Sequence, residues 1–188
     1  MSNTVSLTDT LTVDVAIIGG GMAGLALGLL LAAELPSRRI VIVEQTPSPA
    51  LDSAPLAPSF DARSTALAVG SQPILGAMGV WQALSNQVQP IAQVHVSEKR
   101  RPFGVLMQPQ SLGLTALGYV VENRALGRAL LQAANQQQNL QLLNGSSVDA
   151  LTFTADNARV TLSSGARINA QLVVVADGAQ SNLREQLA

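Results

Sequence analysis

An α/β fold organised around a parallel strand–helix–strand unit is what this sequence predicts, on three observations. Val13–Ile18 is apolar but for Asp14 and stops at Gly19-Gly20-Gly21, and a stretch of helix length, Met22–Leu35, apolar but for Glu34, follows at once. Ile40–Val43 is a second short apolar run, ending on Glu44. Far along the chain, Leu172–Ala176 is a third, and Asp177-Gly178 follows it. Strands with apolar residues at successive positions, separated by a helix, suit a parallel sheet covered on both faces.

The elements follow in order. The first ten residues are polar and expected to fray. Val13–Ile18 is a buried strand, Met22–Leu35 a helix closed by Pro36, and Ile40–Val43 the next strand, joined by a right-handed crossover. Gln45–Phe60 holds Pro47, Pro49, Pro55 and Pro58 and reads as a long loop. Ser71–Ala77 and Trp81–Leu84 are short helical pieces broken at Gly79. Ile91–Ser97 alternates like a half-exposed strand, Glu98–Arg101 is a charged turn, and Phe103–Met107 is its partner. Asn123 opens a helix to about Gln136 as its cap, with Leu126 and Leu130 on the buried face. Val148–Thr154, Ala158–Leu162 and Arg167–Asn169 form a meander with turns at Asp156-Asn157 and Ser164-Gly165, and Leu172–Ala176 is a central strand.

Composition narrows the function classes. A chain of 188 residues holds one domain, at most two. Eleven basic residues against 12 acidic ones leave a net charge of −1, so no field exists to hold nucleic acid or an anionic membrane. Charged residues make up 12%, where about 25% is ordinary, which suggests that part of the surface is covered. The absence of cysteine excludes disulfides, thiol catalysis and cysteine-bound metals, no metal site is expected, and a cytoplasmic protein is the default. Val15 to Ala33 is long and uncharged enough to imitate a membrane span. Three glycines inside it, with Asp9 and Asp14 ahead of it, favour a buried strand–turn–helix.

Gly19-x-Gly21-x-x-Gly24 sits where a dinucleotide fingerprint must sit, between a strand and a helix. The first glycine permits the tight turn, the second lets backbone approach a pyrophosphate held by the helix N-terminus, and the third lets helix and strand pack closely. Ala23 lies within that first helical turn. Glu44 ends the second strand twenty residues after Gly24, where a carboxylate accepts hydrogen bonds from a ribose diol. This Rossmann-like unit does not by itself separate FAD from NAD.

Asp177-Gly178 with Ser181 and Arg184 makes a D-G-x-x-S-x-x-R arrangement after a strand. Here the chain resembles the flavoprotein aromatic hydroxylases typified by para-hydroxybenzoate hydroxylase, and among them the hydroxylases of ubiquinone biosynthesis. Phe60–Ala68, Gly79–Leu84, Val94–Ser97 and Ala116–Glu122 support the likeness, which spans nearly all of residues 13–184. It implies a Rossmann-like FAD-binding β-α-β unit with a β-meander, plus the first strands of a second, substrate-side sheet. The implied segments are 1–90 and 119–188 for the FAD-binding domain and 91–118 for the partial substrate domain.

The resemblance also implies roles. Gly19, Gly21, Ala23, Gly24 and Glu44 would hold the ADP half of FAD, and Arg63 would lie beside flavin and pyrophosphate. Asn123 would touch the cofactor, backbone near Val148 would face adenine, and Asp177 and Gly178 would serve FAD and the incoming NADPH or NADH. Each has a plainer rival: a solvated arginine for Arg63, a helix cap for Asn123, a turn cap for Asp177. His95, the single histidine, and Trp81 read as structural. The implied reaction is hydroxylation of a polyprenylated phenol with O₂, the cofactor carrying the oxygen chemistry, and no residue here is a catalytic acid, base or nucleophile. The family's third motif, a Gly-Asp pair, and most of the substrate domain fall beyond position 188, so an N-terminal half, inactive alone, is the expectation. A plain NAD(P)-binding protein and a fragment that self-associates or docks a partner are the alternatives. Nucleic acid is not an expected partner; other ubiquinone-biosynthesis proteins and peripheral contact with the inner membrane are within the expectation.

Overall fold

The computed structural model describes residues 10–47, 59–100 and 103–178 together with Ser181 and Leu183. The first nine residues, most of the proline-rich loop, Arg101 of the charged turn, and Arg184 of the second motif lie outside the described residues.

The chain begins β1 (Thr10–Ile18), α1 (Met22–Glu34), β2 (Ile40–Glu44). Because β1 and β2 are apolar on both faces, alternate residues feed two cores. Val15, Ile17, Ile40 and Ile42 face one side with Leu25 and Leu29 of α1; Ala16, Ile18, Val41 and Val43 face the other. Strand β1 starts three residues earlier than its apolar run, since Thr10–Thr12 pair with a distant strand of matching length. Asp14 fixes the loop that enters β2. It accepts hydrogen bonds from the Arg39 backbone N–H (2.7 Å) and from Arg38 Nη1 (2.9 Å), and these hold its carboxyl below the usual range.

Next come β3 (Ser64–Ala68), α2 (Ser71–Ala77), α3 (Val80–Leu84), β4 (Val88–Pro90), β5 (Val94–Ser97), β6 (Gly104–Met107), a 3₁₀ turn (Pro109–Leu112) and β7 (Gly118–Glu122). Strands β3, β7 and β4 form an antiparallel sheet, and β5 with β6 a separate hairpin. The expected strand 91–97 is thus corrected. Val88–Pro90 pairs with β7, Ile91 closes that ladder through Gly118 and Leu117 (2.8 and 3.0 Å), and only then does the chain turn off into β5. Tyr119 is pinned by Trp81, edge to face at 4.8 Å, and donates a hydrogen bond to Gln72 Oε1 at 3.1 Å.

The last stretch is α4 (Asn123–Gln136), β8 (Leu140–Asn144), β9 (Val148–Phe153), β10 (Ala158–Leu162) and β11 (Arg167–Val175). The main sheet has the order β8-β2-β1-β11-β10-β9, with the first four parallel and the meander antiparallel. α4 is amphipathic: Leu126, Ala129, Leu130 and Ala133 pack against α1 and the sheet, while Arg124 and Arg128 stay exposed. Asn139, just before β8, donates its side-chain amide to the carbonyls of Ala32, Leu35 and Arg38, each at 3.2 Å, and so closes the end of α1.

Two expected strands, Arg167–Asn169 and Leu172–Ala176, are one. β1 runs parallel to β11 along its whole length, whereas β10 pairs only from Arg167 to Ala170. The polar break at Asn169 and Gln171 marks a change of neighbour rather than an interruption. For the same reason the apolar run is not fully buried, and Leu172 is 54% exposed.

Helix α1 rests very close to β1. A Cβ on Gly24 would stand 1.9 Å from the Gly19 carbonyl oxygen, a backbone atom that cannot yield. Gly76, inside α2, has nothing within 4 Å. Gly24→Ala should therefore cost about 3 kcal/mol or more, or abolish folding. Gly76→Ala should stabilise by about 0.5–1 kcal/mol through helix propensity alone. Urea unfolding of the two variants checks the contrast.

Candidate nucleotide site at the C-terminal edge of the parallel strands

The exits of β1, β2 and β11 meet at one edge of the sheet, the end where open α/β sheets bind ligands. β1 leaves through Gly19, whose φ of +110° lies in the region that glycine tolerates. A Cβ there would also strike the Ala176 carbonyl oxygen at 2.4 Å, so the exit of β11 lies directly against the glycine turn. The ladder continues to this point, with Ala176 N–H donating to the Ile18 carbonyl at 2.7 Å. Asp177 follows, exposed, and Gly178 turns away with φ +88°. The glycine fingerprint and the opening of the second motif, Asp177-Gly178, far apart in sequence, meet at this edge.

Glu44 does more than end β2. Its Oε2 accepts a hydrogen bond from Gly20 N–H (2.6 Å) and its Oε1 one from Thr46 N–H (2.8 Å). The carboxylate therefore holds the glycine turn in place, and each oxygen keeps a further acceptor position. A cavity of about 150 Å³ opens beside it, lined by Gly19, Glu44, Gln45, Ser147, Val148 and Asp177 among others. Val148, half-buried, is the first residue of β9. The structure thus brings Gly19, Glu44, Val148 and Asp177 around one cavity, with Gly21, Ala23 and Gly24 just behind it at the start of α1. Gln45, Ser146 and Ser147 also line it, although no motif marked them.

Arg63 and Asn123 do not line this cavity. They belong to a second cluster, between the loop before β3 and the start of α4. Asn123 is not the helix cap; Glu122 holds that position and no side chain caps the helix. Instead the Asn123 side chain is buried, donating to Asp61 Oδ1 (3.0 Å) and accepting from Thr65 Oγ1 (2.5 Å). Its backbone N–H donates to the Arg63 carbonyl at 2.9 Å. Asp61 also accepts from Arg63, at the backbone N–H (2.9 Å) and at Nε (2.6 Å). The Arg63 side chain is 80% exposed, so this ion pair orients it while leaving most of it in water. Asp61 is held below the usual carboxylate range, chiefly by the Arg63 N–H, then by the Arg63 and Asn123 side chains. Asp61 and Thr65 escaped the sequence analysis, because their partner Asn123 lies about sixty residues away. His95 is exposed on β5, opposite Leu106.

The geometry fits the ADP half of FAD. Helix α1 has neither an acidic residue in its first turn nor a side-chain cap, so its leading N–H groups are available to an anion. The spare acceptor positions of Glu44 suit a ribose diol, and the cavity beside Val148 has room for part of a nucleoside.

Comparison with known proteins agrees with this class. Residues 12–188 match the FAD binding domain family, and the chain belongs to it. Among curated relatives, the chain is 35% identical over 172 residues to ubiquinone hydroxylase UbiL of Rhodospirillum rubrum, covering 92% of this chain and 38% of that protein. It is 34% identical over 175 residues to 3-demethoxyubiquinol 3-hydroxylase of Escherichia coli, covering 92% of this chain and 43% of that one. The chain therefore spans about two fifths of the length of these relatives. Among solved structures, p-nitrophenol 4-monooxygenase PnpA of Pseudomonas putida superposes with a TM-score of 0.73 at 16% identity, over 95% of this chain and 44% of that one. PqsL of Pseudomonas aeruginosa, described as a probable FAD-dependent monooxygenase, gives 0.71 at 21%, over 94% and 45%. These two establish the fold.

The depressed Asp61 carboxyl sets a direction for pH. A group whose folded pKa lies below its ordinary 3.8 contributes stability above that value and loses it as pH falls through the folded pKa. Asp61→Asn should therefore be less stable than wild type above about pH 5, with the gap closing below about pH 4. Denaturant midpoints taken from pH 3 to 6 check this.

Proposed function

We propose that this chain is the FAD-binding portion of a flavin monooxygenase that hydroxylates a polyprenylated phenol in ubiquinone biosynthesis, of the 2-octaprenyl-6-methoxyphenol hydroxylase type. NADPH or NADH is the electron donor and O₂ the co-substrate in this reading. The observation that carries it is the convergence of Gly19, Glu44, Val148 and Asp177 on one cavity at the strand ends. Membership of the FAD binding domain family and the ubiquinone hydroxylases among its relatives support it.

In this proposal the residues hold and orient. The leading amides of α1 neutralise the pyrophosphate by dipole and hydrogen bond, since among the described residues the cavity lining contains no lysine or arginine. Glu44 takes the ribose hydroxyls while its bond from Gly20 keeps the turn rigid, so little ordering remains to be done on binding. Backbone at Val148 faces adenine. Asp177 and Gly178 border the path of cofactor and donor, and Arg63, oriented by Asp61, supplies a positive charge towards flavin and pyrophosphate. FAD, when bound, supplies the electron transfer to O₂ and the oxygen transfer to the ring. No acid, base or nucleophile of this chain is assigned to the chemistry.

A second reading, association with another copy, draws on the β5–β6 hairpin, where Phe103 is 84%, Val105 62% and Leu106 53% exposed. Light scattering that shows a monomer at high concentration would remove it.

The purified chain should take up FAD, seen as visible flavin absorbance surviving desalting, and should prefer FAD to NADH. Glu44→Gln offers one oxygen where the carboxylate serves two backbone amides, so FAD affinity should fall about tenfold or more. Preference for NADH by the wild-type chain would overturn the reading.

A further inference from the structure

We propose that Ser59 is an additional ligand of the cofactor, donating its hydroxyl hydrogen to a pyrophosphate oxygen at the notch left by Gly21. The proposal rests on the FAD-binding reading above. Gly21 is the second fingerprint glycine, whose missing side chain lets a pyrophosphate approach the backbone. A Cβ at Gly21 would stand 3.1 Å from Ser59 Oγ and 3.7 Å from Ser59 Cβ, with no other described residue outside the glycine turn within 4 Å. Ser59 is therefore the wall of the notch.

Its hydroxyl is sealed from water and has no hydrogen-bond partner. Native proteins rarely leave a buried hydroxyl unsatisfied, because the lost water contact is not repaid. The chemistry across the notch is the uncapped start of α1, which presents donors and no acid. What satisfies both sides is an acceptor with several oxygens, and a phosphate is that group. The position is anchored from behind. Phe60 is 3% exposed, and its ring fills the space where a Cβ on Gly127 would stand, 2.4 Å away. In the unliganded chain the hydroxyl is shielded, so donation to phosphate requires it to turn into the notch as the ligand arrives.

The test compares wild type, Ser59→Ala and Ser59→Thr for binding of FAD, ADP and adenosine by calorimetry, with thermal melting of the unliganded chains. Ser59→Ala should bind FAD and ADP about tenfold more weakly, the scale of one hydrogen bond to a charged group, and adenosine unchanged. Its unliganded melting temperature should equal or exceed that of wild type, since an unsatisfied hydroxyl has been removed. Ser59→Thr, which keeps the hydroxyl, should bind ADP within about threefold of wild type. Equal ADP affinity in wild type and Ser59→Ala overturns the proposal alone. So does equal loss in the alanine and threonine variants, or a uniform loss for all three ligands with a lower melting temperature. A wild-type chain that binds neither FAD nor ADP overturns the FAD reading and this proposal together.

Discussion

The functional end of this molecule depends on three stretches of backbone meeting with no side chain between them. The start of α1 presses on the Gly19 carbonyl, and Gly19 in turn presses on Ala176 where β11 ends. A Cβ would stand 1.9 Å from backbone at Gly24 and 2.4 Å at Gly19, so helix or strand would have to move away. The contact fixes the direction of α1, so that its free amides point to the edge where β2 delivers Glu44 and β11 delivers Asp177. Packing density, usually a property of cores, here sets the geometry of a surface site.

Charge is used sparingly at that edge. Among the described residues two carboxylates, Glu44 and Asp177, border the cavity, and no cation of the lining offsets them. An anion there is met by backbone dipoles, which act over about one helical turn and fix position as well as sign. In the proposed reading the cationic contribution stands apart, in Arg63, which Asp61 orients from the loop before β3 and Asn123 braces from the start of α4. One half of the proposed site is then main chain and the other a side-chain relay.

What could be read from the sequence follows from this division. α1, β1, β2 and α4 were legible because burial on both faces, or on one helical face, leaves an apolar pattern. The glycines and Glu44 were legible because backbone geometry dictates their identity and spacing. β3 was not, since Ser64–Ala68 is a strand of small residues whose outward positions meet solvent and whose partner, β7, lies more than fifty residues on. β8 is a five-residue edge strand; Asn144-Gly145 marks its end, but Leu140, Leu142 and Leu143 are too few to show the period of a strand. Asn123 looked like a cap because caps are local and common, whereas Thr65 and Asp61 reach it only through the fold. Ser59 has no signature at all; only its neighbour Gly21 gives it meaning.

The closure of Ile91 against Leu117 and Gly118 has an evolutionary side. To the rest of the fold, everything between those residues is a single loop whose two ends are already bonded together. Lengthening such a loop costs little, roughly 0.6 kcal/mol for each doubling. Its content can be exchanged, extended or recombined while α1, β1 and β11 keep their register. The nucleotide edge and the excursion are therefore free to evolve at different rates, and the segment between Ile91 and Leu117 can change without rebuilding the sheet that carries the glycine turn.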